Sequence, residues 1–212
     1  MFFETIKVVN GHMFNLDLHM ARLTKTQRYF FPNASLNISL IVPPECRTGL
    51  YRCRITYSQK IESIEFTPYI QRDIQTLTLI NAPTINYSYK FCDRNTLEAL
   101  KKASGYDEII IVKNGKITDT TFSNLVFKNT EGLFTPSTFL LPGTRRSELL
   151  QKKIIHETNI TISDLHKYNQ VFLINAIIGL EDKLSFTIIC KKNSDSFKFI
   201  RNNIYNYSCL SS

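Results

Sequence analysis

The chain has 212 residues, 43% hydrophobic and 21% charged, with only 7 glycines and 7 prolines. These are the proportions of an ordinary globular protein, long enough for one large domain or two modest ones. No apolar run approaches the ~20 residues that span a bilayer, and the N-terminal stretch lacks the zones of a signal peptide, so a cytoplasmic protein without membrane contact is expected. A formal charge of +8 would suit nucleic acid. The basic residues are scattered, however, and no nucleic-acid module is present; a lysine-rich solvated surface or a small anionic substrate accounts for the charge better. The five cysteines (Cys46, Cys53, Cys92, Cys190, Cys209) are an odd number without a CxxC pair, and the four histidines show no HExxH spacing. Neither a disulfide framework nor a metal site is expected.

FFETIKVV alternates as a strand, and Asn10-Gly11 is the dipeptide of a tight hairpin returning as MFNL. Alternation puts Phe3, Thr5 and Lys7 on one face and Glu4, Ile6 and Val8 on the other. The first face is either solvent-facing or the wall of a polar pocket. Asp17 is expected to cap a helix over DLHMARLTKTQRYF, with His19 and Arg22 on one side of it. Alone, such an HxxR pair is usually a surface feature. Pro32 ends this segment, and Pro43-Pro44 break the next one. GLYRCRITYS, IESIEF and TLTLI read as strands, with Arg52 and Arg54 on one face. Strand arginines are more often exposed than functional, but a carboxylate pocket would also want them.

INAPTINYSY reads as a connector. It divides the chain into a small N-terminal α/β domain, 1–82, and a larger C-terminal domain, 83–212. A helix over 93–104, capped by Asp93 and ended at Gly105, comes after Lys90. DEIIIVKNGKITDTTF is a hairpin on Asn114-Gly115, and SNLVFKNTEGLFTP is a second around its NTEG turn. Gly143-Thr144 opens a helix whose first amides are free to bind an anion. ITISDL, QVFLINAII and SFTIIC supply further strands and a short helix; the asparagine-rich tail is weakly specified. Individually, Lys90, Asp119 and GTRR are an ordinary lysine, a turn acid and a helix start. Together they suggest a site. A helix N-terminus beside arginine holds phosphate, a lysine among cations becomes a nucleophile, and a carboxylate beside a pyridine nitrogen makes the ring a better electron sink.

The order FETIKVVNG, HMARL, YRCRI, YKFCDR, DEIIIVKNGKITDTTFSNLVF, LLPGTRR and VFLINAII resembles, over nearly the full length, the fold-type IV pyridoxal-phosphate enzymes of the class IV aminotransferase family. The resemblance implies an α+β, two-domain fold like that of D-amino-acid aminotransferase, pyridoxal 5'-phosphate as cofactor, and a homodimer. It implies Lys90 as the Schiff-base lysine and general base, Arg22 of the HxxRL motif on the phosphate, and Asp119 facing the ring nitrogen. The family usually has glutamate there, so the acid is about one methylene short. The GITR-like turn matches Gly143 to Arg146, with the amides of Thr144 and Arg145 as grips, and the later phosphate-side turn matches Asn175-Ala176-Ile177. Phe3, Thr5 and Lys7 match the substrate-facing strand and Arg54 a less regular position. Thr5 is the candidate proton donor, while Lys7 and Arg54 are the candidates for carboxylates.

Within the family, Lys90-Phe-Cys-Asp-Arg resembles the K-x-x-N/D-R of 4-amino-4-deoxychorismate lyases more than the branched-chain K-x-x-x-N-Y. Asn175-Ala176 and the short length lean the same way. The expectation is therefore a lyase of the folate pathway that eliminates pyruvate to give 4-aminobenzoate. The alternatives are an aminotransferase acting on branched-chain or D-amino acids and, more distantly, a non-enzymatic basic binding protein on the same fold.

Overall fold

In the computed structural model, which describes residues 1–190 and 197–202, FFETIKVV forms β1 (Phe2–Val9) and returns as the short β2 (His12–Met13). Asn10 and Gly11 both take positive φ, 48° and 80°, as a tight hairpin matched to the strand twist requires. Along its length β1 pairs with β3 (Leu50–Tyr57), which pairs with β4 (Ile61–Pro68), giving an antiparallel sheet of order β2-β1-β3-β4. Phe2, Ile6 and Val8 pack with Cys53, Ile55 and Tyr57, and α1 (Leu16–Phe30) covers them through Leu23. The cap of α1 differs from expectation. Asn15, at φ 53°, precedes the first turn, and Asp17 lies inside it, where the helix dipole favours a carboxylate. Asn15 caps nothing because its side-chain amide donates to Glu148, 2.7 Å away.

The strand TLTLI, β5 (Leu77–Asn81), pairs in parallel with β6 (Glu108–Lys113), and β6 pairs antiparallel with β7 (Lys116–Thr120). The first sheet thus ends at Pro68, and the second begins at Leu77. The parallel pair needs a crossover, and α2 (Asn95–Ser104) supplies it. This helix starts two residues later than expected. Asp93 accepts the Asn95 amide at 3.0 Å, and Gly105, at φ 71°, ends the helix in the left-handed conformation that glycine tolerates.

The third sheet comprises β8 (Asn124–Lys128), β9 (Leu133–Pro136), β10 (His156–Thr158), β11 (Gln170–Ile174), β12 (Ser185–Cys190) and β13 (Phe197–Arg201), in the order β10-β9-β8-β11-β12-β13. The helix α3 (Thr144–Gln151) lies between β9 and β10 in sequence. ITISDL forms an isolated bridge and enters a short 3-10 helix, where Asp164 draws in the Thr161 amide and hydroxyl. FKFIR, which carried no strand expectation, pairs with β12. The end of the tail, 203–212 with Cys209, lies outside the described residues. Leu125, Phe127, Val171, Leu173 and Phe186 form the main core with Ile110 and Ile117. No described helix is long and apolar enough to cross a membrane.

One junction sets the position of Lys90. The Phe3 amide donates to the Lys90 carbonyl at 3.0 Å, and the Cys92 amide to the Met1 carbonyl at 3.1 Å. The chain from Lys90 to Cys92 is therefore stitched to the start of β1. Phe2 clamps this junction, its ring 5.0 Å from Phe91 and 5.8 Å from Tyr57. Phe2→Ala is expected to cost roughly 3–5 kcal/mol in urea denaturation and to speed amide exchange at Phe3 and Cys92 before the third sheet; uniform exchange would contradict this role.

Candidate active site

Six sequence-predicted residues come together on one partly open cavity: Arg22, Lys90, Asp119, Thr144, Asn175 and Ala176. They arrive from α1, the 89–92 junction, β7, the start of α3 and the turn after β11. The cavity encloses about 510 Å³ of non-atom space, its mouth included.

Lys90 is half-buried. Among the described residues its ammonium makes no hydrogen bond or ion pair; it stands over the Phe3 ring, 4.6 Å from nitrogen to centroid. Desolvation, and after it the positive charge of Arg22, lowers its pKa to about 7. With such a pKa, a sizeable share of the amine, about half, is neutral at neutral pH and free to act as nucleophile or base.

Arg22 does not stand free. Its Nε and Nη2 donate to the two oxygens of Glu4 at 2.9 and 2.6 Å, and Nη1 donates to the Pro142 carbonyl at 3.0 Å. Burial disfavours the charge on Glu4, but Arg22 and the hydrogen bond from His19 outweigh it and hold the carboxyl at about 2. A guanidinium has five N–H groups, so two remain after these three bonds. The amides of Thr144, Arg145 and Arg146 find no acceptor among the described residues, as the first turn of a helix dictates. In the turn after β11, Asn175 Oδ1 takes the amides of Ile177 and Ile178, so the asparagine shapes the turn rather than offering its own side chain.

Asp119 is buried and fully gripped. Asn124 donates to Oδ1 at 2.9 Å, and the amides of Leu140 and Leu141 donate to Oδ2 at 2.9 and 3.0 Å. Burial, only partly offset by these donors, raises its pKa to about 6. Asn124 also donates to the Leu141 carbonyl and packs so tightly on Gly143 that a Cβ there would lie 1.8 Å from its Oδ1. Glycine is required at 143 by this close approach.

Phe3, Thr5, Lys7 and Arg54 do not line the cavity. They share one face of the first sheet, with Thr5 opposite Arg54 and the Arg54 guanidinium 4.0 Å above the Phe3 ring. Phe3 therefore joins this face to Lys90. The Arg145 side chain turns away to Glu148 and Glu181, leaving only its amide at the helix start. Sequence reasoning missed Glu4, Asn124 and Arg94 as site residues. Glu4 had a readable signal, a carboxylate on the same strand face as Ile6 and Val8. Arg94 lines the cavity and donates to the Thr121 carbonyl at 2.6 Å and the Tyr87 hydroxyl at 3.3 Å.

The sequence profile of amino-transferase class IV matches residues 1–181, and the chain belongs to that family, whose members are pyridoxal-phosphate enzymes. An uncharacterised Haemophilus influenzae protein is 35% identical over 184 residues, which is 84% of this chain and 98% of that one. A Haemophilus somnus crystal structure, provisionally described as a 4-amino-4-deoxychorismate lyase, is 34% identical with a TM-score of 0.74, covering 84% of this chain and 96% of that one. A hypothetical Mycobacterium tuberculosis aminotransferase in its pyridoxal-phosphate-bound form, 18% identical with a TM-score of 0.64 over 83% of this chain and 77% of its own, shares the fold. The donor set here fits that cofactor: an amine without a partner for the aldehyde, open amides and spare guanidinium hydrogens for the phosphate, and a buried carboxyl for the ring nitrogen.

Because the Lys90 pKa is depressed in the fold, the unfolded chain binds the extra proton between pH 7 and 10.5, and stability rises with pH across that window. At pH 7 the lysine is a net cost. Lys90→Met is expected to stabilise the cofactor-free protein by on the order of 2 kcal/mol at pH 7, with the gain shrinking toward pH 10. Equal destabilisation at both pH values in urea titrations would contradict it.

Proposed function

We propose that the chain is a 4-amino-4-deoxychorismate lyase that binds pyridoxal phosphate, releases pyruvate and leaves 4-aminobenzoate, acting as a cytoplasmic homodimer on a small anionic substrate. The observation that carries this reading is the partnerless Lys90 amine sharing a cavity with Arg22 and Asp119. The K-x-x-D-R spacing, which puts Arg94 on the same cavity as Lys90, favours the lyase over a transaminase, as does the description of the Haemophilus somnus relative.

The cofactor, when bound, supplies an aldehyde that captures the substrate amine and a ring that takes up negative charge. Everything else falls to the chain. Arg22, the amides of Thr144 and Arg145 and the turn at Asn175-Ala176 hold the phosphate. Asp119, locked by three donors, presents a carboxyl that a protonated ring nitrogen would favour as carboxylate. Lys90, as a free amine, would remove the proton from the ring carbon bearing nitrogen. The neighbouring carbon–oxygen bond then breaks, and the enolpyruvyl group leaves and takes up a proton as pyruvate. Thr5, Lys7 and Arg54 lie outside the cavity lining, on the sheet face that Phe3 joins to Lys90. For a substrate that extends over that face, Thr5 would offer a hydrogen bond to the departing oxygen and Lys7 and Arg54 would take its carboxylates.

Pyridoxal phosphate and then borohydride should leave a stable covalent adduct on Lys90, located by mass spectrometry. With 4-amino-4-deoxychorismate and no keto acid, the loaded protein should release 4-aminobenzoate and pyruvate in equal amounts over many turnovers. An adduct on Lys90 combined with turnover that requires a keto acid would replace the lyase by a transaminase. No adduct on Lys90 would remove the cofactor reading altogether.

A further inference from the structure

The HxxR pair leaves one member without a task. His19 is buried, 1% exposed, yet it lies outside the cavity lining. Its Nδ1 is 2.7 Å from Glu4 Oε2, and its Nε2 is 3.2 Å from the hydroxyl of Thr144. Burial, ahead of the opposing pull of Glu4, lowers its pKa, so the ring is neutral near pH 7. A neutral ring has one donor and one acceptor. The carboxylate of Glu4 can only accept, so Nδ1 carries the hydrogen. Nε2 then accepts, and the Thr144 hydroxyl donates to it.

Thr144 is the first residue of α3, directly after Gly143, and its amide is one of the three open donors of that turn. The turn has no side-chain cap to orient it. The hydroxyl bond to His19 is thus a side-chain tie between the first residue of α3 and α1, beside the hold that Arg146 of the same turn has on Thr135 and the Pro136 carbonyl. The other arm of Glu4 fixes Arg22, whose Nη1 bonds the Pro142 carbonyl just ahead of the same turn. One carboxylate therefore sets both halves of the anion-binding end, Arg22 directly and the helix start through His19.

We propose that His19, locked in one tautomer by Glu4, is a positioning residue that aims the first amides of α3 at the phosphate of the bound ligand. This rests on the cofactor reading for the identity of the ligand, and on the geometry alone for the anion.

The test compares His19→Asn with His19→Gln. Asparagine places its amide nitrogen near the Nδ1 position, keeps the bond to Glu4 and cannot reach Thr144; glutamine places its amide near Nε2 and can. Neither changes the charge near pH 7. Affinities for pyridoxal phosphate, for unphosphorylated pyridoxal and for inorganic phosphate alone are measured on the full chain. His19→Asn should weaken pyridoxal phosphate and inorganic phosphate at least about tenfold, as loss of one directed bond would, and leave pyridoxal unchanged. His19→Gln should recover most of the loss. A purely structural histidine would weaken all three ligands together, or none, and either result overturns the proposal. If His19→Asn does not fold, Thr144→Ala cuts the same bond and should show the same selective loss; an unchanged preference for the phosphorylated aldehyde overturns the proposal equally. Wild-type protein that binds inorganic phosphate but forms no adduct on Lys90 would sink the cofactor reading and leave the positioning claim standing. Wild-type protein with no affinity for phosphate would sink both.

Discussion

The buried carboxylate of Glu4 is the constraint on which the cavity depends. A charged group with no solvent contact is costly unless it is paired and hydrogen-bonded, and Glu4 takes three donors, two from Arg22 and one from His19. These bonds reach from the first sheet across α1. Through the Pro142 carbonyl and the Thr144 hydroxyl they continue to the start of α3. Removing one partner would leave a buried charge uncompensated, so the pieces hold their places together.

Beside this network Lys90 is conspicuous, its amine having no hydrogen-bond or ion-pair partner among the described residues. The backbone around it is fixed by β1, with the Phe3 amide on its carbonyl, while its amine is left with the Phe3 ring and a group of cations. The protein fixes the backbone and leaves the nitrogen uncommitted. At the other end, Asp119 is raised to about 6 by burial yet immobilised by Asn124 and two backbone amides. Such paired departures from ordinary pKa values mark chemical sites more than structural ones. Both belong to a chain of the class IV aminotransferase family.

Much of this was legible in the sequence, for identifiable reasons. Asn10-Gly11 and Asn114-Gly115 carry the positive φ values their hairpins need, and β1, β6 and β7 follow from alternation and turn chemistry. The collinear motifs brought Lys90, Arg22 and Asp119 to one cavity because each sits in or beside an element that local rules can place. The misses are tertiary. Nothing local tells Asn15 to give its side chain to Glu148, and so Asp17 looked like the cap of α1. The grip on Asp119 comes from the backbone amides of Leu140 and Leu141, which no residue type announces. β5 sits beside β6 only because a crossover helix lies between them, a pairing that no local rule announces. FKFIR is a strand because β12 offers it an edge.

At the centre of the site stands one amine, that of Lys90, whose neutral form is well populated at physiological pH. Reductive methylation of the cofactor-free protein with formaldehyde and cyanoborohydride, tracked residue by residue with mass spectrometry across pH, reads that state directly. Lys90 should reach half its maximal rate near pH 7, consistent with its depressed pKa of about 7, while surface lysines respond only near their ordinary value of about 10.4. A Lys90 that titrates with the surface lysines would contradict the account.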